Sequence, residues 1–179
     1  MTKEPHEEHA GSGAALEAAR REKLKKLVEL GHDPWGSRFD GHAPLGSIRA
    51  REGEITVEPP ADPAAQPKQH GPKVRAAGRI VLQRRAGKLI FIDIRDWSGR
   101  IQLLVGKNQV GAANWELAQC FDLGDIIGVD GELGRTKTGE LTIFAEQLHF
   151  LTKSIETPPD KHKGLVDAEL RQRMRYLDL

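Results

Sequence analysis

From Leu89 to Val105 the side chains change character at every second position. Ile90, Ile92 and Ile94 alternate with Phe91, Asp93 and Arg95, and beyond Trp97-Ser98-Gly99 the residues Ile101, Leu103 and Val105 take one parity while Arg100 and Gln102 take the other. A period of two belongs to extended strands, whose successive side chains point to opposite faces. The short glycine-containing break predicts a turn between two such strands. The isoleucine, leucine and valine parity must therefore face an interior, and Phe91, Arg100 and Gln102 must face outward.

The flanking segments supply the rest of that interior. Val74 to Arg85 is a further β-like run, so it forms a three-stranded meander with Lys88–Trp97 and Arg100–Gly106. Val110, Ala113, Leu117, Cys120 and Phe121 fall at intervals of three or four, which predicts a short helix from Asn108 to Phe121 with one buried face. Strands Asp125–Leu133 and Glu140–Leu151 follow, joined by the turn-rich Gly134 to Gly139, and Leu141, Ile143 and Ala145 take the inward parity. This order predicts a mainly β fold with flanking helices, a five-stranded OB-fold Greek-key barrel over residues 73–152.

Around the barrel, residues 1–13 read as a disordered polar tail. Residues 14–55 read as an amphipathic helix, Ala14 to Leu30, followed by a turn region. Leu16, Ala19, Leu24, Leu27 and Val28 form the helix's apolar stripe; Arg20, Arg21, Lys23, Lys25 and Lys26 make its other side a basic, solvated surface. Trp35 and Phe39 are expected to pack on the barrel. The proline-rich stretch 56–72 reads as a linker, and 153–179 as a second linker with a charged helix, Asp167 to Tyr176, opening a further domain.

Composition excludes several classes. One cysteine builds no disulfide framework, and no apolar run approaches the ~20 residues that span a bilayer. The polar N-terminus lacks a signal peptide's apolar core, so a soluble cytoplasmic protein is expected. The histidines show no zinc spacing, Cys120 sits at a core position, and Gly134 to Glu140 lacks the Lys-Ser/Thr of a phosphate loop. No acid–base pair emerges, so no catalytic or metal-binding residue is assigned.

The outward face carries the candidate chemistry. An exposed phenylalanine suits a stacked base, and Gln102 with Glu140, on the outer parity of the last strand, suits a uracil-like edge. Lys73 to Lys88 contains several cations and no acid, so Arg75, Arg79 and Lys88 are candidate phosphate contacts. By pattern alone an alternative stands beside this: Phe91 covered by the N-terminal helix, and the polar groups merely solvated. A general single-strand binder and a protein-interaction barrel also remain open.

The runs Gly87-Lys88-Leu89-Ile90-Phe91, Gly99-Arg100-Ile101-Gln102-Leu103, Asp122 to Val129 and Thr136-Lys137-Thr138-Gly139-Glu140-Leu141, with the closing Arg175-Tyr176-Leu177-Asp178-Leu179, strongly resemble the anticodon-binding region of class II lysyl-tRNA synthetases. Aspartyl and asparaginyl enzymes share the barrel, but Thr-Lys-Thr-Gly-Glu-Leu is the form usual in the lysyl branch. The resemblance implies that Phe91 stacks on an anticodon base, that Gln102 and Glu140 read a central uridine, and that Arg84 is the basic position at the end of the first strand. Strict alternation turns Arg84 inward, so a bend or bulge is required before it. The partner implied is a lysine-type tRNA. The resemblance further implies a catalytic domain beyond Leu179 that would use ATP and Mg2+ and form a homodimer, with no cofactor in this chain. The proline-rich stretch is longer than is usual before this barrel.

Overall fold

The computed structural model describes residues 7–36, 38–59, 68–156 and 172 of the 179-residue chain. Strands β3 (Lys73–Ala86), β4 (Leu89–Arg95), β5 (Arg100–Gly106), β6 (Ile126–Arg135) and β7 (Leu141–Thr152) close into a barrel in the order β3-β4-β5-β7-β6. All neighbours are antiparallel except β5 and β7, which run parallel through Gln102–Leu104 and Thr142–Phe144. The alternation described above is the reason the barrel closes. Ile90, Ile92, Ile94, Ile101, Leu103 and Val105 fill its interior with Ile127, Val129, Leu133 and Ile143, each almost wholly shielded from solvent. Burying side chains of this size contributes about 1.5–3 kcal/mol each relative to exposure.

Helix α3 (Lys107–Gln119) follows β5 and buries Val110, Leu117 and Ala118, with Cys120 and Phe121 continuing the apolar contact. Asn114 stitches it to the barrel: its Oδ1 accepts from the Leu148 amide at 3.0 Å. Cys120 is buried, and burial pushes its thiol above the ordinary range despite the lysines nearby.

Outside the barrel the structure departs from the sequence expectations in three ways. Helix α1 (Glu7–Glu29) begins within the stretch read as a tail. It docks less by its apolar stripe than by its basic side: Leu16 and Val28 stay 53% and 54% exposed, while Leu27 is buried and Arg20 donates to the Ser154 carbonyl at 2.9 Å. Lys23 reaches Asp122, and Lys26 pairs with Glu116 at 3.2 Å. Three of the five basic residues expected to be solvated thus find acceptors beyond the helix, whereas Arg21 and Lys25 pair within it and stay exposed.

Second, the stretch read as a linker carries two paired strands, β1 (Thr56–Glu58) and β2 (Lys68–His70), in the register Val57 to Gln69. Its prolines lie largely between these arms, in residues 60–67, outside the described residues; the arms themselves contain none. Gly71 then lies so close to β6 that a Cβ there would fall 1.7 Å from the Leu133 carbonyl oxygen. Third, Phe39 packs on the barrel as expected, whereas Trp35 remains 68% exposed. Between α1 and the hairpin, a short helix α2 (Leu45–Ala50) buries Leu45 and Ile48. The expected helix Asp167–Tyr176 and the closing Arg175–Leu179 motif lie outside the described residues, save for residue 172.

Candidate nucleic-acid interface

The outer face of the barrel is set by one irregularity in β3. Ile80 pairs with Ile94, but Leu82 pairs with Asp93, so Val81 is an extra residue and the strand's parity flips there. Beyond this bulge Arg84 stands directly across from Phe91 on the outer face, its guanidinium carbon 5.5 Å from the ring centroid. That separation lies within cation–π range. The bulge that alternation required at Arg84 is therefore present.

Phe91 pairs with Leu104, and Leu104 with Phe144, giving a half-buried apolar row across β4, β5 and β7. This row floors a cleft of about 990 Å³ whose lining includes Arg84, Gln102, Gln69, Arg135 and Lys137. No described residue of α1 lines it, which removes the alternative of a phenylalanine covered by the N-terminal helix.

Gln102 also lines an adjoining depression of about 500 Å³, shared with Glu140, Arg49 and Arg100. The Thr142 hydroxyl lies 3.0 Å from Gln102 Oε1 and 3.1 Å from the Glu140 main-chain carbonyl, sharing its one proton between them and placing the two residues side by side. Glu140 sits just before β7, at the end of a turn in which the Thr136 amide donates to the Glu140 carbonyl at 3.0 Å, and its side chain is exposed. Thr142 was not singled out from the sequence. Its role follows from the β5–β7 pairing, a neighbour relation that strand patterns do not contain.

A curved face that offers an aromatic floor, a side-chain amide, an exposed carboxylate and flanking cations is suited to an unstacked base. Comparison with known proteins gives the same direction. A family model described as an OB-fold nucleic acid binding domain, of the tRNA anticodon type, matches residues 74–151. The chain is also 41% identical over 160 residues to the lysine–tRNA ligases of Staphylococcus aureus strains Mu3, Mu50 and N315. The barrel is an anticodon-binding OB domain, homologous to that of lysine–tRNA ligases. The match covers 89% of this chain but 31% of each relative, so the chain spans about a third of their length.

Within this anticodon-binding domain the expected residues do not all gather. Phe91, Gln102, Arg84 and Glu140 share the cleft and its adjoining depression. Arg75 and Arg79 precede the bulge and line neither of the two. Arg75 donates to both oxygens of Asp130 at 3.0 Å and to the Asp40 carbonyl at 2.9 Å, and lies 4.0 Å over the Phe39 ring; Arg79 donates to the Gly124 carbonyl at 2.7 Å. Their guanidinium groups hold the protein together. Lys88 is exposed on the β3–β4 turn, one strand end away from Phe91. Among the described residues no cluster of three or more His, Cys, Asp or Glu is placed to hold a metal ion, and no helix is long and apolar enough to cross a membrane.

Proposed function

We propose that this domain reads the central nucleotide of a lysine-type anticodon. The Thr142 bridge between Gln102 and Glu140, at the edge of the Phe91 cleft, carries the reading. Phe91 takes the face of the base, with Arg84 beside the ring. Uracil places an N–H donor between two carbonyl acceptors, so the Glu140 carboxylate accepts from N3–H while the Gln102 amide donates to a neighbouring carbonyl. Cytosine N3 has no hydrogen to give Glu140. Lys88 and Lys137, exposed beside this face, supply phosphate contacts, in place of Arg75 and Arg79.

We assign the chain to the tRNA-reading part of a class II lysine–tRNA ligase, a cytoplasmic homodimer in its complete form. Its ATP- and Mg2+-dependent joining of lysine to tRNA needs residues other than those described above. The relatives' printed activity, together with their greater length, supports that assignment.

The test is binding of anticodon stem-loops carrying U or C at the central position, at fixed salt. The unmodified chain should prefer U, and Glu140→Ala and Gln102→Ala should each reduce that preference. Phe91→Ala should weaken both stem-loops by about 1–3 kcal/mol, because every base has a face to stack. Equal affinity for U and C in the unmodified chain overturns the proposal and makes the domain a general single-strand binder.

A further inference from the structure

The Phe91 reading uses only one side of the cleft. On the other side Phe144 lies on the outer face of β7, half-buried and facing the same space. Its ring can approach β6 this closely because residue 134 is glycine: a Cβ there would fall 2.8 Å from the ring. Phe91 and Phe144 are separated by the Leu104 strand, hence by two strand spacings or roughly 10 Å. One pyrimidine cannot stack on both rings, so they offer positions to different bases.

The wall beside Phe144 comes from the β1–β2 hairpin. Gln69 of β2 uses both ends of its amide on the main chain of Arg135: Nε2 donates to the Arg135 carbonyl at 3.1 Å, and Oε1 accepts from the Arg135 amide at 2.9 Å. This side chain copies the pairing a further strand would give at the end of β6. The Arg135 guanidinium is held in turn by Glu52 and the Gly139 carbonyl, which fixes the turn carrying Lys137 at the cleft mouth.

We propose that Phe144 is a second nucleotide position, for the base next to the central one, and that Gln69 is the positioning residue that holds its wall. The proposal rests on the RNA-reading function above. It gives the hairpin, whose arms lie in a stretch that reads as linker, a part in RNA binding. The ligand class is a single-stranded ribonucleotide whose base is taken by its face, with Lys137 near its phosphate, so this position favours any base over none and does not choose among them.

The experiment uses the full chain and anticodon stem-loops in which one base is removed to leave an abasic nucleotide, at the central position or at either neighbour. Affinity is read by fluorescence anisotropy and folding by thermal melting. For the unmodified chain, removing one of the two neighbours should weaken binding roughly tenfold, the size of a lost stacking contact. Phe144→Leu keeps the apolar packing but not the aromatic face. It should abolish sensitivity to that neighbour while leaving sensitivity to the central base intact. Gln69→Leu should reduce the same sensitivity, a readout that mere loss of stability would not move selectively. Unchanged sensitivity in both variants, or an unmodified chain indifferent to both neighbours, overturns the second position. Indifference to the central base alone instead defeats the Phe91 reading.

Discussion

The two halves of β3 carry arginines of the same kind to opposite ends. Before the bulge at Val81, Arg75 and Arg79 are bound by carboxylate and carbonyl groups of their own chain; after it, Arg84 faces an open cleft. The same contrast divides the whole barrel. At the end where α1 docks, Lys153 is wholly buried and donates to Asp122 and Asp125 at 2.7 Å each and to the Cys120 carbonyl at 3.0 Å. Burial opposes ionisation of Asp122, but hydrogen bonds from Lys153 and Lys23 outweigh it and hold that carboxyl below the usual range. One end encloses its charges, whereas at the other Arg84 and Lys137 line an open cleft. A cation in a sequence therefore says little until its acceptors are counted.

The largest break in this contrast should come from Lys153→Met. It leaves the buried Asp125 carboxylate without its ammonium, while the partly exposed Asp122 keeps Lys23; removing one partner of a buried pair costs about 3–5 kcal/mol in comparable cases. A large fall in Tm is expected, with the U-over-C preference of the folded fraction preserved. A melting temperature close to that of the unmodified chain would show that the network is not structural.

A finer comparison sets Arg75→Ala against Arg84→Ala. The first removes the ion pair with Asp130 and the contact with Phe39, and should cost about 1–2 kcal/mol of stability with RNA affinity at fixed salt nearly unchanged. The second should leave the melting temperature in place and weaken RNA binding several-fold. Chemical denaturation and stem-loop titration of both variants decide the matter, and a reversed pattern would undo the division of β3.

The expected outward and inward residues were legible wherever strands alternate regularly. Ile90, Ile92 and Ile94 had to be inside, so Phe91 and Gln102 had to be outside, and the barrel follows from their order. At Arg84 alternation failed in an informative way: the outward role that the resemblance implied required a bulge, and the strand contains one. Three features stayed hidden for a common reason. The acceptors of Arg75, the Thr142 bridge and the Gln69 wall all join residues distant in sequence, at |i−j| of 55, 40 and 66. Local pattern carries no information about such partners. The proline-rich composition around residues 60–67 also masked the short strands beside it.

The smallest predicted effect concerns acid. Asp96 sits in the β4–β5 turn, and burial opposes its ionisation. It nonetheless accepts from the Leu45, Ser98 and Gly99 amides and the Ser98 hydroxyl, which together hold it below its ordinary value of 3.8. A depressed folded pKa stabilises the fold fully above the unfolded value, and that contribution is lost as pH falls through the folded value. Melting temperature should therefore drop as pH falls below 3.8, and Asp96→Asn should be less stable at neutral pH with a flatter acid profile. A variant profile parallel to the unmodified one would place the acid sensitivity elsewhere, for instance at the enclosed end.

The parallel seam between β5 and β7 has a consequence for the order in which the protein acquires its abilities. The meander β3–β4–β5 contains Arg84, Phe91 and the neighbouring cations, and is built from contacts between chain neighbours. Gln102 meets Thr142 and Glu140 only when the seam closes a loop of some 40 residues. Non-local closures of this kind are the slow events of β-protein folding. On the proposed reading, a nascent chain that has formed the meander alone would hold the stacking face but not yet the pair of residues that tells uridine from cytidine. Discrimination so proposed would belong to the finished barrel alone, and the U-over-C preference would double as a report that its last strand is in place.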